Sequence, residues 1–125
     1  MIGRAYMALQ LSFPSLTIGD LKISLPIIQG GMGVAISMAC LASAVANEGA
    51  VGVIATAGIG FQESNLVSDY REAHKHALRR EIQKARANSK GVLGVNILSA
   101  LTNYEDLART AMEEGIDMIL SGAGL

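Results

Sequence analysis

At 125 residues the chain has room for one small domain at most. Half of it is apolar and only 17% is charged, so it can build a core and does not read as a disordered segment. A net charge of −1 offers no field to draw nucleic acid or an anionic membrane, and a single cysteine, Cys40, excludes an intrachain disulfide framework and fits a reducing, cytoplasmic setting.

Aromatic residues make up 4% of the chain and tryptophan is absent, so the apolar mass is aliphatic, backed by 14 glycines. Aliphatic strands, alanine-rich helices and glycine turns are the materials of parallel α/β proteins. Residues 16–25 alternate loosely around Gly19 and Asp20, a turn pair that predicts a short hairpin. Residues 26–29 (PIIQ) read as a strand with proline at its first position, running into Gly30, Gly31, Met32 and Gly33. Ser37 is placed to cap a helix over 38–48 that Gly49 stops. That helix is apolar nearly all round, so burial on more than one side is expected, with Cys40 a buried, inert thiol. The stretch 30–47 carries no charge, but its small residues read as a loop plus a helix, not as a membrane span.

A continuous apolar strand follows over 51–55 and ends in a second glycine loop at 57–60. The longest helix spans 68–89, with Tyr70, Ala73, Ala77, Leu78 and Ile82 as its inner stripe and most of the chain's basic residues on its solvated face. A third strand covers 92–97. Asn103 caps a helix over 104–114, Gly115 stops it, and a fourth strand over 117–120 enters Ser121, Gly122, Ala123 and Gly124. The order is a hairpin and then β-α-β-α-β-α-β. Parallel strands joined by helical crossovers give an α/β fold, and this pattern alone does not separate a doubly wound sheet from part of a barrel.

Candidate site residues gather where strands end. The glycines at 30, 31 and 33 let backbone approach a phosphate or a flat ring, although the same run also serves as a plain tight turn. They match neither the dinucleotide fingerprint nor a P-loop. Met32, flanked by glycines, has no obvious core to fill. Asn96 closes an apolar strand, where an amide either faces a ligand or satisfies loop backbone. His74 and His76 are two apart, about 200° around a helix, so they cannot share a metal; both are expected to face solvent. No nucleophile–base pair emerges from these residues.

Five segments taken together resemble the nitronate monooxygenases: PIIQGGMG over 26–33, LASAVANEG over 41–49, GVIA over 52–55, GVNI over 94–97 and SGAG over 121–124. The resemblance runs from about Phe13 to the end of the chain and implies the N-terminal half of a TIM (β/α)8 barrel preceded by a short β-hairpin. Residues 1–125 would form one partial barrel domain of four strands and three helices, stopping before the barrel closes. It further implies FMN as cofactor, with an alkyl nitronate and molecular oxygen as substrates. Carried over by motif, the backbone at Gly31 and Met32 would line the flavin, Asn96 would hydrogen-bond it and Gly122 would flank it. A related branch uses the scaffold as an FMN-dependent enoyl-acyl-carrier-protein reductase, which full-length NAD(P)H oxidation would reveal. The catalytic histidine and the phosphate-gripping loops of that family lie in the second half of the barrel, and a whole barrel needs about 250 residues. Half a barrel would leave its first and last strands as open apolar edges, so a homo-oligomer, a complementary half-barrel or a purely non-catalytic assembly module are further expectations.

Overall fold

The computed structural model describes residues 12–124. Two short strands, β1 (Leu16–Ile18) and β2 (Leu21–Ile23), pair antiparallel across the Gly19–Asp20 turn. Gly19 sits at φ +59, the left-handed region that glycine enters without penalty. The main sheet holds β3 (Gly52–Ala55), β4 (Leu93–Leu98) and β5 (Met118–Gly122), parallel and in that order. Three helices connect and cover it: α1 (Ala39–Asn47), α2 (Tyr70–Asn88) and α3 (Tyr104–Glu113). It is an α/β fold with a small open sheet, and no barrel closes within it.

Register assigns the sheet's two faces. Parallel partners Ile54, Val95 and Ile119 stand in one row, and with Leu93 and Ile97 they pack against Ala42 and Ala46 of α1, Leu78 and Ile82 of α2 and Leu107 and Ala111 of α3. Each fully buried Leu, Ile or Val is worth about 1.5–3 kcal/mol, so this face carries most of the stability. The alternate residues Val51, Val53, Met118 and Leu120 face the other way, where the hairpin supplies Leu16, Ile18 and Ile23. The hairpin therefore covers the strand starts on the helix-free face and leaves the strand ends there open.

The expected strand over 26–29 forms only one bridge, Ile28 beside Val51. Pro26 has no N–H to give, and Ile27 and Ile28 remain 51% and 40% exposed. Helix α1 also departs from expectation. It buries Ala39, Ala42, Ser43 and Ala46 alone, while Cys40 is exposed and Leu41 is 43% exposed. Its composition is apolar all round, but only one of its faces meets another element. The thiol expected in the core lies on the other.

Close approach of α1 to the sheet depends on glycine. A Cβ on Gly52 would overlap the carbonyl of Ala42, and one on Gly91 the carbonyl of Ala46. Ser37 is not the cap of α1. The cap position falls on Met38 without a side-chain bond, and Glu81 from α2 accepts the Ala39 N–H at 3.0 Å instead. On α2 the cap is Asp69, whose carboxylate accepts from Glu72 N–H at 3.1 Å. Asn103 occupies the cap position of α3 but makes no capping bond.

The Gly52 contact yields a stability test. Gly52→Ala is expected to lose about 3 kcal/mol or more, because helix and strand must part. Gly122→Ala, where a Cβ meets nothing within 4 Å, should unfold in urea like the unsubstituted chain. Equal midpoints for Gly52→Ala and the unsubstituted chain would refute the packing argument.

Candidate functional site

At the strand ends the chain extends pairing with a side chain. Val51 N–H donates to Ile27 O at 2.9 Å and Gln29 N–H to Val51 O at 3.0 Å; then the two backbones diverge. The Gln29 amide takes over, donating from Nε2 to Val53 O at 3.0 Å and accepting the Val53 N–H on Oε1 at 3.1 Å. Nε2 also donates to Ser37 Oγ at 3.2 Å. Ser37 is 1% exposed, and its hydroxyl further accepts the Met32 N–H at 2.9 Å and donates to Gly30 O at 3.4 Å. The serine expected to start a helix binds the glycine loop instead.

That loop is strained. Val34 and Ala35 have φ of 52 and 61, a conformation unusual for any residue with a Cβ and more so for a β-branched one. The third such residue among those described is Ala123, φ 55, just past β5. All three lie at the strand ends, where strain of about 1–3 kcal/mol per residue is characteristic of binding sites. Val34 N–H donates to Ala57 O at 2.7 Å, joining the first glycine loop to the second. Met32, Val34 and Ile36 point their side chains outward, 64%, 67% and 58% exposed.

Asn96 stands in register with Ala55 and Leu120, on the face opposite the helices. It is half-buried. Its Nδ2 donates to Leu120 O at 3.3 Å, and among the described residues its Oδ1 has no donor. The Asn96 carbonyl accepts from both the N–H and the hydroxyl of Thr56, each at 3.0 Å. Gly31 packs directly on this side chain, where a Cβ would come within 2.7 Å of Asn96 Cβ. Gly122, paired with Leu98 one step further along the same face, borders open space, as does Gly30. Of the four candidate residues, Gly31 and Asn96 are in contact and Gly122 lies beside them. Met32 turns its N–H to Ser37 and exposes its side chain.

A family profile described as nitronate monooxygenase matches residues 15–120. The chain belongs to the nitronate monooxygenase family. Among solved structures it is similar to FabK from Thermotoga maritima, with a TM-score of 0.62 and 27% identity over 82% of this chain. The match covers 28% of that protein, so this chain spans less than a third of its length. The comparison with curated proteins finds no match.

The nitronate monooxygenase family is one of FMN-dependent oxidoreductases, and the strand ends carry features that bear on that cofactor. An amide oxygen without a donor among the described residues, two glycines bordering open space and three outward apolar side chains suit the flat, partly apolar ring with its polar edge. They fit the ring.

The histidines separate. His76 is exposed and meets Glu63 Oε2 at 3.0 Å, as its place on the helix suggested. His74 is buried, 1% exposed, against expectation. Its Nδ1 lies 2.9 Å from Tyr70 O, its ring packs on Tyr70 and Phe61, and Gly60 leaves no room for a Cβ beside it. The loop over 56–69 covers the helix face that would otherwise be wet, so His74 takes the inner position assigned to Tyr70, which is 42% exposed. Glu63 anchors this loop to α2 through Arg80 and His76. Those bonds, Arg80 first, hold its carboxyl below the ordinary glutamate range, with burial opposing them. Among the described residues no group of three or more His, Cys, Asp or Glu could hold a metal ion, and no helix is long and apolar enough to cross a membrane.

Sequence reading missed Gln29 and Ser37. For Gln29 the available signal was the one that picked out Asn96, a polar residue at the end of an apolar run, whereas Ser37 was assigned to a helix cap and carried no separate signal.

Two outcomes test this geometry. Ala35→Gly relieves a left-handed alanine and should stabilise the chain by about 1 kcal/mol, after the added freedom of the unfolded glycine, read as a higher thermal midpoint. The depressed Glu63 carboxyl contributes stability that is complete above the ordinary glutamate range and lost as pH falls through its folded value. The midpoint gap between the unsubstituted chain and Glu63→Gln should therefore be largest near neutrality and vanish in strong acid. A gap that widens on acidification contradicts the assignment.

Proposed function

We propose that residues 1–125 form the first part of an FMN-binding (β/α)8 barrel that oxidises alkyl nitronates with molecular oxygen. One observation carries the reading: the Oδ1 of Asn96, without a donor among the described residues, lies on the helix-free face beside Gly31. Asn96 would bind the flavin edge, the exposed Met32 side chain would lie against the ring, and Gly31 and Gly122 would give the ring room. Bound FMN would supply the redox chemistry between nitronate and oxygen. These residues would hold and orient it, and none of them is a general base.

The test is to saturate the chain with FMN, desalt it and record its visible absorption. Retained flavin is the expected result. Asn96→Ala should then weaken binding about 10-fold, the loss of roughly one hydrogen bond. Gly122→Ala should weaken it while leaving the unfolding midpoint in place. A colourless chain would remove flavin binding from these residues taken alone.

A second reading has its own observation. Among the described residues no further strand lies beside Ile27 and Ile28 on one edge or β5 on the other, the arrangement of an assembly unit. Light scattering that shows a well-behaved monomer counts against it.

A further inference from the structure

Gln29 and Ser37 are both withdrawn from the mouth, yet the bonds that shape the glycine loop run through them. We propose that they are positioning residues, a two-residue relay that carries the register of β3 into residues 30–36 and thereby sets how the loop meets the flavin. The proposal rests on the FMN reading above.

Bonding capacity is the first argument. A serine hydroxyl has one proton and two lone pairs. Ser37 gives its proton to Gly30 O and accepts from Met32 N–H and Gln29 Nε2, which fills it. Both protons of the Gln29 amide are likewise taken, by Val53 O and Ser37 Oγ. Such a network fixes one arrangement, because any shift leaves a buried donor or acceptor unmatched.

Strain is the second. The positive φ of Val34 and Ala35 persists only where the surroundings over-determine it. The loop is held at its middle by Val34 N–H on Ala57 O and at its closure by Ser37 N–H on Met32 O. The Ser37 hydroxyl is what ties its first half down, and that tie turns the Met32 N–H inward and its side chain outward.

Third, the hydroxyl is separable from the fold. Ala55 N–H donates to the Ser37 carbonyl at 2.9 Å, and Val53 keeps both of its bonds to Gln29, so β3 stays anchored without Ser37 Oγ. Removing it should release residues 30–36 and little else.

The experiment compares Ser37→Ala, Ser37→Thr and Gln29→Glu with a control, Ser43→Ala. Ser43 is also a buried serine, but among the described residues its hydroxyl bonds only to Cys40 O within α1. Two readouts are taken: hydrogen exchange of the Met32 amide in the flavin-free chain, and the FMN dissociation constant with the visible flavin spectrum. Ser37→Ala should speed Met32 exchange about 10-fold or more while Val53 and Val95 stay protected, weaken FMN binding about 10-fold and shift the flavin band. Ser37→Thr, which keeps the hydroxyl, should recover much of both. Gln29→Glu keeps an acceptor for Val53 N–H but lacks the amide donors, so it should resemble Ser37→Ala. Ser43→Ala should change neither readout. Wild-type Met32 exchange in Ser37→Ala overturns the relay, and so does wild-type FMN affinity with an unshifted spectrum. If the unsubstituted chain takes up no FMN, it is the flavin reading that fails, and Met32 exchange alone decides whether the relay holds the loop.

Discussion

The side-chain amide of Gln29 stands where a further residue of strand backbone would otherwise be, and the geometry of the mouth depends on that substitution. A parallel ladder continued by backbone would have carried residues 30–33 straight along Val53 and Ala55. An amide at the end of a flexible stem satisfies Val53 equally well, with bonds of 3.0 and 3.1 Å, while letting the main chain leave the sheet. The glycine loop can then fold back over Asn96. Without the departure, Gly31 would not reach Asn96 and Ser37 would not lie beneath Met32.

The same economy of space appears where α1 meets the sheet. Glycines at 52 and 91 bring helix backbone against strand backbone, and Ala39, Ala42 and Ala46 are the helix residues small enough to match. That proximity brings the start of α1 within reach of Glu81 on α2, which replaces a local cap with a tertiary one. Ser37 is therefore free for the loop. Packing at one end of α1 and hydrogen bonding at the other are consequences of the same small residues.

The elements themselves were legible because hydrophobic period and glycine stops are local properties. Helices expected over 38–48, 68–89 and 104–114 occur at Ala39–Asn47, Tyr70–Asn88 and Tyr104–Glu113. Which face of an element is buried was less legible, because that depends on neighbours distant in sequence. His74 is covered by a loop whose path no periodicity records, and Cys40 is exposed because nothing described packs on its side of α1. Side-chain hydrogen bonds were least legible. A serine before a helix predicts a cap only if no buried donor competes for its hydroxyl, and here Met32 and Gln29 both do. Asn96 was found and Gln29 missed because the glycines directly after Gln29 drew the ligand reading to their backbone, whereas Asn96 is the one polar side chain in its apolar segment.

The orientation of Asn96 limits what can bind there. Its two amide atoms are interchangeable in shape but not in hydrogen bonding, and the neighbour that settles them is Leu120 O, an acceptor. Nδ2 must face that carbonyl, since the reversed amide would set two oxygens against each other. Oδ1 is thereby turned away from Leu120 and lies beside Gly31 as a pure acceptor. A ligand group seated against it must bring an N–H or O–H, and a carbonyl or phosphate oxygen placed there would be repelled. Gly31 is what permits this placement, because a Cβ there would come within 2.7 Å of Asn96 Cβ and 3.0 Å of its Oδ1. The chemical preference of the mouth at this point is set by the strand pairing of β4 with β5 before any ligand arrives.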